Sequence, residues 1–385
     1  MARLGDICIQ ITDGSHNPPM GVEQSNYLML SSKNIDDDYI TLNDPRYLSQ
    51  EDFEAENRRT NIKPNDLLIT IVGTIGRVAI VPNSLTEFCV QRSVAVLKPK
   101  PEIVYNRFLM HYLQSMRPYL EQECRGVAQK GIYLKQLSNL SIILPPLDEQ
   151  RKIAAVLDKV SDLIAKRRQQ LDKLDEMVKS RFIEMFGVYP ANPMGWEIGT
   201  IRDIVTEVRY GSSRPAVDGG KYPYLRMNNI TYGGELDLSD TKRIDIPDNE
   251  LDKCTVRRGD VLFNRTNSKE LVGKTCVYDR DEMMVLAGFV IRIRVKDCIL
   301  PEFLSAFLNT DFSKQMLLGM CKTAIGQANI NAQELQNIGL YLPPVELQRR
   351  FIQFKKETDK SKLAIQKSLE KLEILKKALM QKYFG

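Results

Sequence analysis

The chain has 385 residues, 43% hydrophobic and 27% charged, a composition that supports two or three folded domains and excludes disorder as the default. A formal charge of +5 permits an anionic partner without demanding one. Seven cysteines without a CxxC pair and two histidines far apart in sequence, His16 and His111, point away from disulfide frameworks, zinc sites and histidine triads.

Along the first module, Leu67 to Thr70, Arg77 to Val81, Val90 to Leu97 and Leu140 to Leu144 read as strands, and Glu102 to Glu123 has helical periodicity. The start, MARLGDICIQITDGSH, lacks a basic segment followed by an apolar run. No window approaches the roughly 18 apolar residues of a membrane helix, so a cytoplasmic protein without a membrane partner is expected. NPPM, Asn17 to Met20, is close to the Asn/Asp-Pro-Pro-aromatic loop of amino-methylating DNA methyltransferases. Methionine replaces the ring that would stack on a flipped base, and sixteen residues before it are too few for a βαβ unit of about 30 residues. A proline-rich surface loop is the better expectation. GTIG, Gly73 to Gly76, lacks the GKS/T ending and GxGxxG spacing of phosphate loops, and predicts a tight turn between strands.

At Leu144 the chain reads LPPLDEQRKI, and at Leu342 it reads LPPVELQRRF, an offset of 342 minus 144, or 198 residues. Phe186-Gly187 and Phe384-Gly385 keep that offset, so two tails of equal length follow the two motifs. Both predict long helices: proline is tolerated at a helix start, and Asp148, Glu149 and Glu346 put negative charge in the first turn. Ile153, Leu157, Val160, Ile164, Leu171, Leu174, Val178 and Met185 form a coiled-coil seam once Arg167 and Arg181 are admitted to the series. The second tail continues with Ile365, Leu369, Leu372 and Leu379, but Lys355, Thr358 and Lys362 make its opening half polar. Upstream, the copies match more loosely in the same order: LGDICIQITDGSH answers IRDIVTEVRYGSS, KPNDLLIT answers RRGDVLFN, and TIGRVAIV answers LVGKTCVY. The order globular, helix, globular, helix lets the helices pack only if the chain doubles back, which makes them antiparallel. Forty residues span roughly 60 Å, enough to separate two DNA readers whose half-sites lie about 34 Å apart per duplex turn.

These residues, above all LPPLDEQRKIAAVLDKVSDLI, LPPVELQRRF, GWEIGTIRDI and RRGDVLFN, resemble the specificity subunit of Type I restriction-modification systems over essentially the whole chain. The resemblance implies an α+β fold: two mixed α/β target-recognition domains, separated by two long antiparallel helices forming a coiled coil, with a pseudo-twofold internal repeat. The expected partition is residues 1–146 and 188–344 for the recognition domains, 147–187 and 345–385 for the spacer helices. It also implies a noncatalytic chain reading a bipartite, asymmetric double-stranded DNA site and docking methyltransferase subunits, usually two, with restriction subunits joining. S-adenosylmethionine, ATP and Mg are expected on those partners and no cofactor or metal on this chain. A Type IIB-like system uses the same modules and is the nearest alternative; a coiled-coil adaptor without a DNA role and a freestanding methyltransferase built on NPPM are the others. The first module has no counterpart of Gly195-Trp196, so a shortened opening strand is expected. Glu149 against Leu347 and Ile153 against Phe351 predict unequal docking at the two helix starts.

A DNA reader needs Arg or Lys for guanine, Asn or Gln for adenine and further cations for phosphates. Candidates in the first module are Ser15, His16, Asn17, Lys33, Asn34, Arg77, Gln91, Arg92, Gln129 and Lys130. In the second they are Arg209, Ser212, Arg214, Asn228, Asn229, Arg265, Asn267, Lys269, Lys274 and Gln327. The basic second tail, from Arg349 to Lys382, reads equally as a solvated helix face with i,i+4 pairs or as a surface for DNA or an acidic partner.

Overall fold

A computed structural model of the chain describes residues 1–124, 131–268, 271–324 and 327–385, with the side chains of 322–324 and 327 outside the description. Two compact units result: Met1–Gln170 with Ile365–Gly385, and Leu171–Ala364. Each unit holds one globular module and half of each long helix.

The first unit is built on a four-stranded antiparallel sheet in the order Cys8–Asp13, Val94–Pro99, Leu67–Thr70, Val78–Ile80. All four residues of Leu67–Thr70 are buried because both faces of this central strand are covered. The two-residue period of a strand sends Leu67 and Ile69 into the helix-backed core and Leu68 into a second core. That second core packs against a three-stranded sheet, Arg46–Leu48, Tyr27–Leu30 and Phe88–Val90, whose last pair is parallel. The second unit repeats the plan. Val205–Tyr210, Val290–Val295, Val261–Asn264 and Thr275–Val277 form its antiparallel sheet, with Val261 and Phe263 on one core and Leu262 on another. A three-stranded ribbon of Thr266–Asn267, Gln327–Asn329 and Lys322–Ala324 is added there.

Two sequence expectations need correction. Val90 to Leu97 is not one strand: Phe88–Val90 ends in one sheet and Val94–Pro99 begins in another, with Val94 N donating to Gln91 O (3.0 Å) across the turn between. Glu102 to Glu123 is two helices, Asn106–Ser115 and Arg117–Gln122, because Pro118 cannot sit inside the first and instead opens the second. The turn expected at GTIG is present, with Gly73 and Gly76 at φ of 84° and 77°. The opening strand of the first module is indeed the shorter, Ala2–Arg3 on Ser141–Ile142 against Ile198–Thr200 on Gly339–Tyr341.

The long helices run Leu147–Phe186 and Val345–Phe384. In the first unit Arg168 meets Glu373 (2.9 Å), while Phe384 at the chain end reaches the rings of Phe108 and Tyr112 (5.5 and 5.2 Å) in the core that also takes Ile153 and Leu157. The pairing is therefore antiparallel. In the second unit Lys362 pairs with Asp175 and Phe351 packs on Phe182 and Phe186 (5.2 and 5.7 Å), again antiparallel. The polar positions of the second seam are occupied: Lys355 bonds Asp359 (2.7 Å), and buried Thr358 donates to Phe354 O (3.0 Å).

The repeated LPP motif owes its form to a glutamine. Gln150, 1% exposed, accepts from Tyr105 N (2.8 Å) and donates to Ile103 O (3.1 Å) and Pro145 O (2.9 Å). Gln348, 0% exposed, accepts from Leu300 N (2.8 Å) and donates to Cys298 O (3.1 Å) and Pro343 O (2.8 Å). In each unit one side chain ties the helix start to the strand-to-helix loop of its module. Ile153 and Phe351, expected to differ as docking residues, instead lie inside the cores of their units, 7% and 0% exposed. Leu347 is half-buried against its core, whereas Glu149 is exposed beside Lys152.

Candidate nucleic-acid interface

In the first unit a cleft of about 310 Å³ lies where the strand Cys8–Asp13 ends, lined by Asp13, His16, Ile71, Val72, Arg92, Gly131, Ile132, Tyr133 and Leu134. The loop after the strand passes against the neighbouring sheet so closely that a Cβ on Gly14 would lie 1.8 Å from Val90 O. Only glycine fits there. Ser15 then bridges to Gln91, and Arg92 N donates to Ser15 O (2.8 Å), which brings Ser15, His16, Gln91 and Arg92 to one rim. Asp13, 8% exposed, accepts from His16 Nε2 (2.8 Å) and from Arg59. The rim is thus an exposed imidazole and cations around one fixed carboxylate.

The equivalent corner of the second unit has different chemistry. Gly211 makes the same approach, its Cβ position 2.2 Å from Leu286 O, and Ser212 bridges to Ala287. Where the first unit has Asp13, the second has Tyr210, whose hydroxyl accepts from Ala332 N (2.8 Å) and whose ring lies 4.8 Å from the Arg265 guanidinium carbon. Phe289, whose backbone oxygen accepts from Arg265 N (3.0 Å), is 53% exposed. Cationic, aromatic and apolar groups converge, a combination suited to stacking and to hydrogen bonding at a base edge. Sequence reasoning missed Tyr210 and Phe289. The available signal was their place beside the paired Gly-Ser turn and strand turn of the repeat.

The remaining candidates separate by partner. Asn17 and Lys33 are exposed, as is Asn228. Asn34 and Asn229, each 2% exposed, are taken up in their loops. Asn34 accepts from Ser31 N and donates to Thr41 O and Asn43 O, and Asn229 accepts from Arg226 N and donates to Asp237 O and Asp240 O. Arg77 pairs with Asp36 (2.8 Å), Arg209 with Glu207 (2.6 Å) and Arg214 with Glu250 through two bonds. Ser212 is buried and caps Arg214 N; Asn267 accepts from Ser268 N. Lys274, 7% exposed, donates to Met227 O (3.0 Å). Gln129, Lys130 and Lys269 lie outside the described residues, as does the side chain of Gln327.

NPPM occupies an irregular exposed stretch with Met20 92% exposed, and Pro19 O accepts from Arg46 Nη1 (2.7 Å). Cys8, Cys89, Cys254, Cys276 and Cys298 are free thiols, and burial pushes those of Cys8, Cys89 and Cys276 up to about 12. Among the described residues no group of three His, Cys, Asp or Glu side chains is placed to hold a metal ion, and no helix is long and apolar enough to cross a membrane.

Comparison with known proteins gives one consistent picture. The family model for the Type I restriction modification DNA specificity domain matches twice, over residues 24–175 and 193–376. The specificity subunit of the Type I restriction enzyme EcoKI of Escherichia coli K12 is 24% identical over 75% of this chain and 67% of its own length. The specificity subunit of MjaVIII from Methanocaldococcus jannaschii is 24% identical over 84% of this chain and 79% of its own. The EcoBI specificity subunit of Escherichia coli is 32% identical over 40% of this chain and 33% of its own. Among solved structures, a chain from a study of complex assembly and conformational transition of the type I R-M system aligns over 100% of this chain and 96% of its own, with TM-score 0.57 and 19% identity. The S subunit of a Type I system from M. genitalium aligns over 100% and 95%, with TM-score 0.51 and 15% identity, a likeness of fold.

Proposed function

The chain belongs to the Type I restriction-modification DNA specificity family, and from that premise we propose that it is the sequence-reading subunit of such a system, noncatalytic by itself, recognising a bipartite and asymmetric double-stranded DNA site. The observation that carries the reading is the doubled reader with unlike rims. One scaffold occurs twice, but His16 and Arg92 around Asp13 in one copy answer to Tyr210, Arg265 and Phe289 in the other. A duplicated scaffold with unlike contact groups reads unlike half-sites.

In this reading residues 1–146 and 188–344 are the two readers, and the helices at 147–187 and 345–385 are the spacer that fixes the gap between half-sites. Two methyltransferase subunits dock on the helices, which present outward-facing apolar residues such as Leu363 (53% exposed) and Ile374 (69% exposed); restriction subunits join the assembly. S-adenosylmethionine, ATP and Mg belong to those partners, and the complex works in the cytoplasm on the cell's own and incoming DNA. Mapping methylated adenines in host DNA with and without the gene tests this directly. A split motif should vanish on deletion; an unchanged methylation map, or methylation by the purified chain alone, would count against it.

A further inference from the structure

The turn that follows the central strand places a cation at the same two positions in both units. In the first, Thr70 N donates to Arg77 O (3.0 Å) and Gly76 N to Thr70 O (2.8 Å); in the second, Asn264 N donates to Lys274 O (2.8 Å) and Gly273 N to Asn264 O (2.8 Å). Arg77 and Lys274 are therefore equivalent. Behind each turn a second cation from a helix grips the glycine carbonyl: Arg117 Nη2 donates to Gly76 O (3.1 Å), and Lys314 Nζ to Gly273 O (2.9 Å).

What surrounds the two pairs differs. In the first unit Arg77 pairs with Asp36 (2.8 Å) and Arg117 with Asp37, both aspartates following the short helical turn Ser32–Asn34. In the second unit the residues after the matching turn Met227–Asn229 are Ile230, Thr231, Tyr232, Gly233 and Gly234. Asp36 is thus replaced by Thr231 and the next carboxylate by Tyr232. Among the described residues neither Lys274 nor Lys314 has an ion pair. Lys274 donates to Met227 O, and Lys314 lies over the Tyr232 ring (5.3 Å). A buried ammonium, Lys274, and a partly buried one, Lys314, are held near one another without a counter-charge, at a cost in desolvation. Lys274 is enclosed (7% exposed), but Lys314 is only partly buried and Tyr232 beside it is 57% exposed, so the rim of the place faces solvent.

We propose that Lys314, with Lys274 behind it, is a phosphate-binding site of the second unit, taking a backbone phosphate of the DNA, and that the first unit has closed the same site with its own Asp36 and Asp37. The proposal rests on the DNA-reading function above. Lys314 makes the contact at the rim, and Lys274 is a positioning charge. Desolvation and then the Lys274 charge pull the Lys314 ammonium down to about 8, which an arriving phosphate dianion or diester would reverse. The groups facing it are Lys274 and Tyr232, with Cys276 beside Lys274; Asp311, on its own helix, is engaged with Lys179 (2.8 Å). Binding should accordingly weaken as pH rises through about 8.

The test uses the full chain in complex with its methyltransferase subunits on its mapped DNA site. Lys314→Gln should lower the slope of log affinity against log salt by about one, as expected for one lost phosphate contact, without changing the recognised sequence. Arg77→Gln and Arg117→Gln should leave the slope unchanged. Thr231→Asp with Tyr232→Asp, which transplants the carboxylates of the first unit, should reproduce the Lys314→Gln slope while raising the melting temperature. Lys274→Arg should retain the wild-type slope where Lys274→Gln does not. A second arm needs no DNA: inorganic phosphate should raise the melting temperature of the wild-type full chain beyond chloride at equal ionic strength, and the Thr231→Asp, Tyr232→Asp chain should lose that increment. Unchanged salt slopes in the lysine and aspartate variants, with normal specific binding by the wild type, would overturn the phosphate site and leave the reading of function intact. If the wild type recognises no DNA, a phosphate increment that disappears in the double variant keeps the anion site, and its absence overturns it.

Discussion

At the scale of single residues, the most consequential side chains in this chain are a pair of neutral amides. Gln150 and Gln348 each satisfy one buried backbone N–H and two carbonyls at the point where a module becomes a helix. Truncating either leaves those groups without partners in a site closed to water, at a cost of about 2 kcal/mol each. Urea unfolding of Gln150→Ala and Gln348→Ala should show comparable losses, since both side chains make the same three bonds; a stability equal to wild type in either would refute the clamp. The glutamines were in plain view in LPPLDEQ and LPPVELQ, yet attention falls naturally on the neighbour that differs, Glu149 or Leu347. A charge is easy to imagine at an interface, whereas a buried amide reveals its role only when the loop it holds is known. The aromatic rim of the second module was hidden for a related reason. Tyr210 and Phe289 are 79 positions apart (289 minus 210), and a sequence assigns neither to a surface.

At the scale of elements, the helices were legible almost to the residue. Diproline before, glycine after and a seam of apolar residues between them describe Leu147–Phe186 and Val345–Phe384 well, because each signal is local. The seam positions Arg167 and Arg181 are half-buried, as the interrupted heptad pattern requires. Less legible was the unequal weight of the two helix ends. Phe186, 0% exposed, is enclosed by Phe182, Phe303 and Phe351 at 4.9, 4.8 and 5.7 Å, whereas Phe384 is only partly buried against Phe108 and Tyr112. Phe186→Ala should therefore cost about 3–5 kcal/mol, and Phe384→Ala distinctly less. Thermal unfolding of the two variants gives the comparison, and equal losses would contradict it. In the sheets, the apolar run of Leu67–Thr70 marks its strand, whereas the apolar stretch Val90 to Leu97 holds the end of one strand and the start of another. A turn of three polar residues, Gln91-Arg92-Ser93, interrupts an otherwise apolar run, and the change of sheet there is a tertiary event.

At the scale of the whole molecule, duplication is the organising fact. Each unit combines a module with half of each long helix, so the cores are completed by residues distant in sequence, Phe384 in one and Phe182 with Phe186 in the other. A module exchange should respect this. Replacing residues 1–146 with the corresponding module of a relative that reads a different site should alter one half of the methylated motif and leave the other half and the gap unchanged. Methylome sequencing reports all three quantities at once, and a change in both halves would mean that the modules do not read independently.

The sequence by itself determined the repeat, the two helices with their antiparallel sense, the mixed α/β character of the modules and the family, since all of these follow from order, spacing and hydrophobic period. The paired stretches LGDICIQITDGSH and IRDIVTEVRYGSS were visible as a repeat, but that their Gly-Ser steps are turns where two backbones approach too closely for a Cβ is a finding of the structure. Only the tertiary structure decided which polar groups remain available. Asn34 and Asn229 look like base readers until the loops close around them, and Arg77 and Lys274 look alike until Asp36 and Thr231 are seen beside them. The reason is physical: a side chain's capacity to recognise a ligand is what is left after its own fold has used its donors, acceptors and charge, and that remainder is set by neighbours brought together from distant parts of the chain.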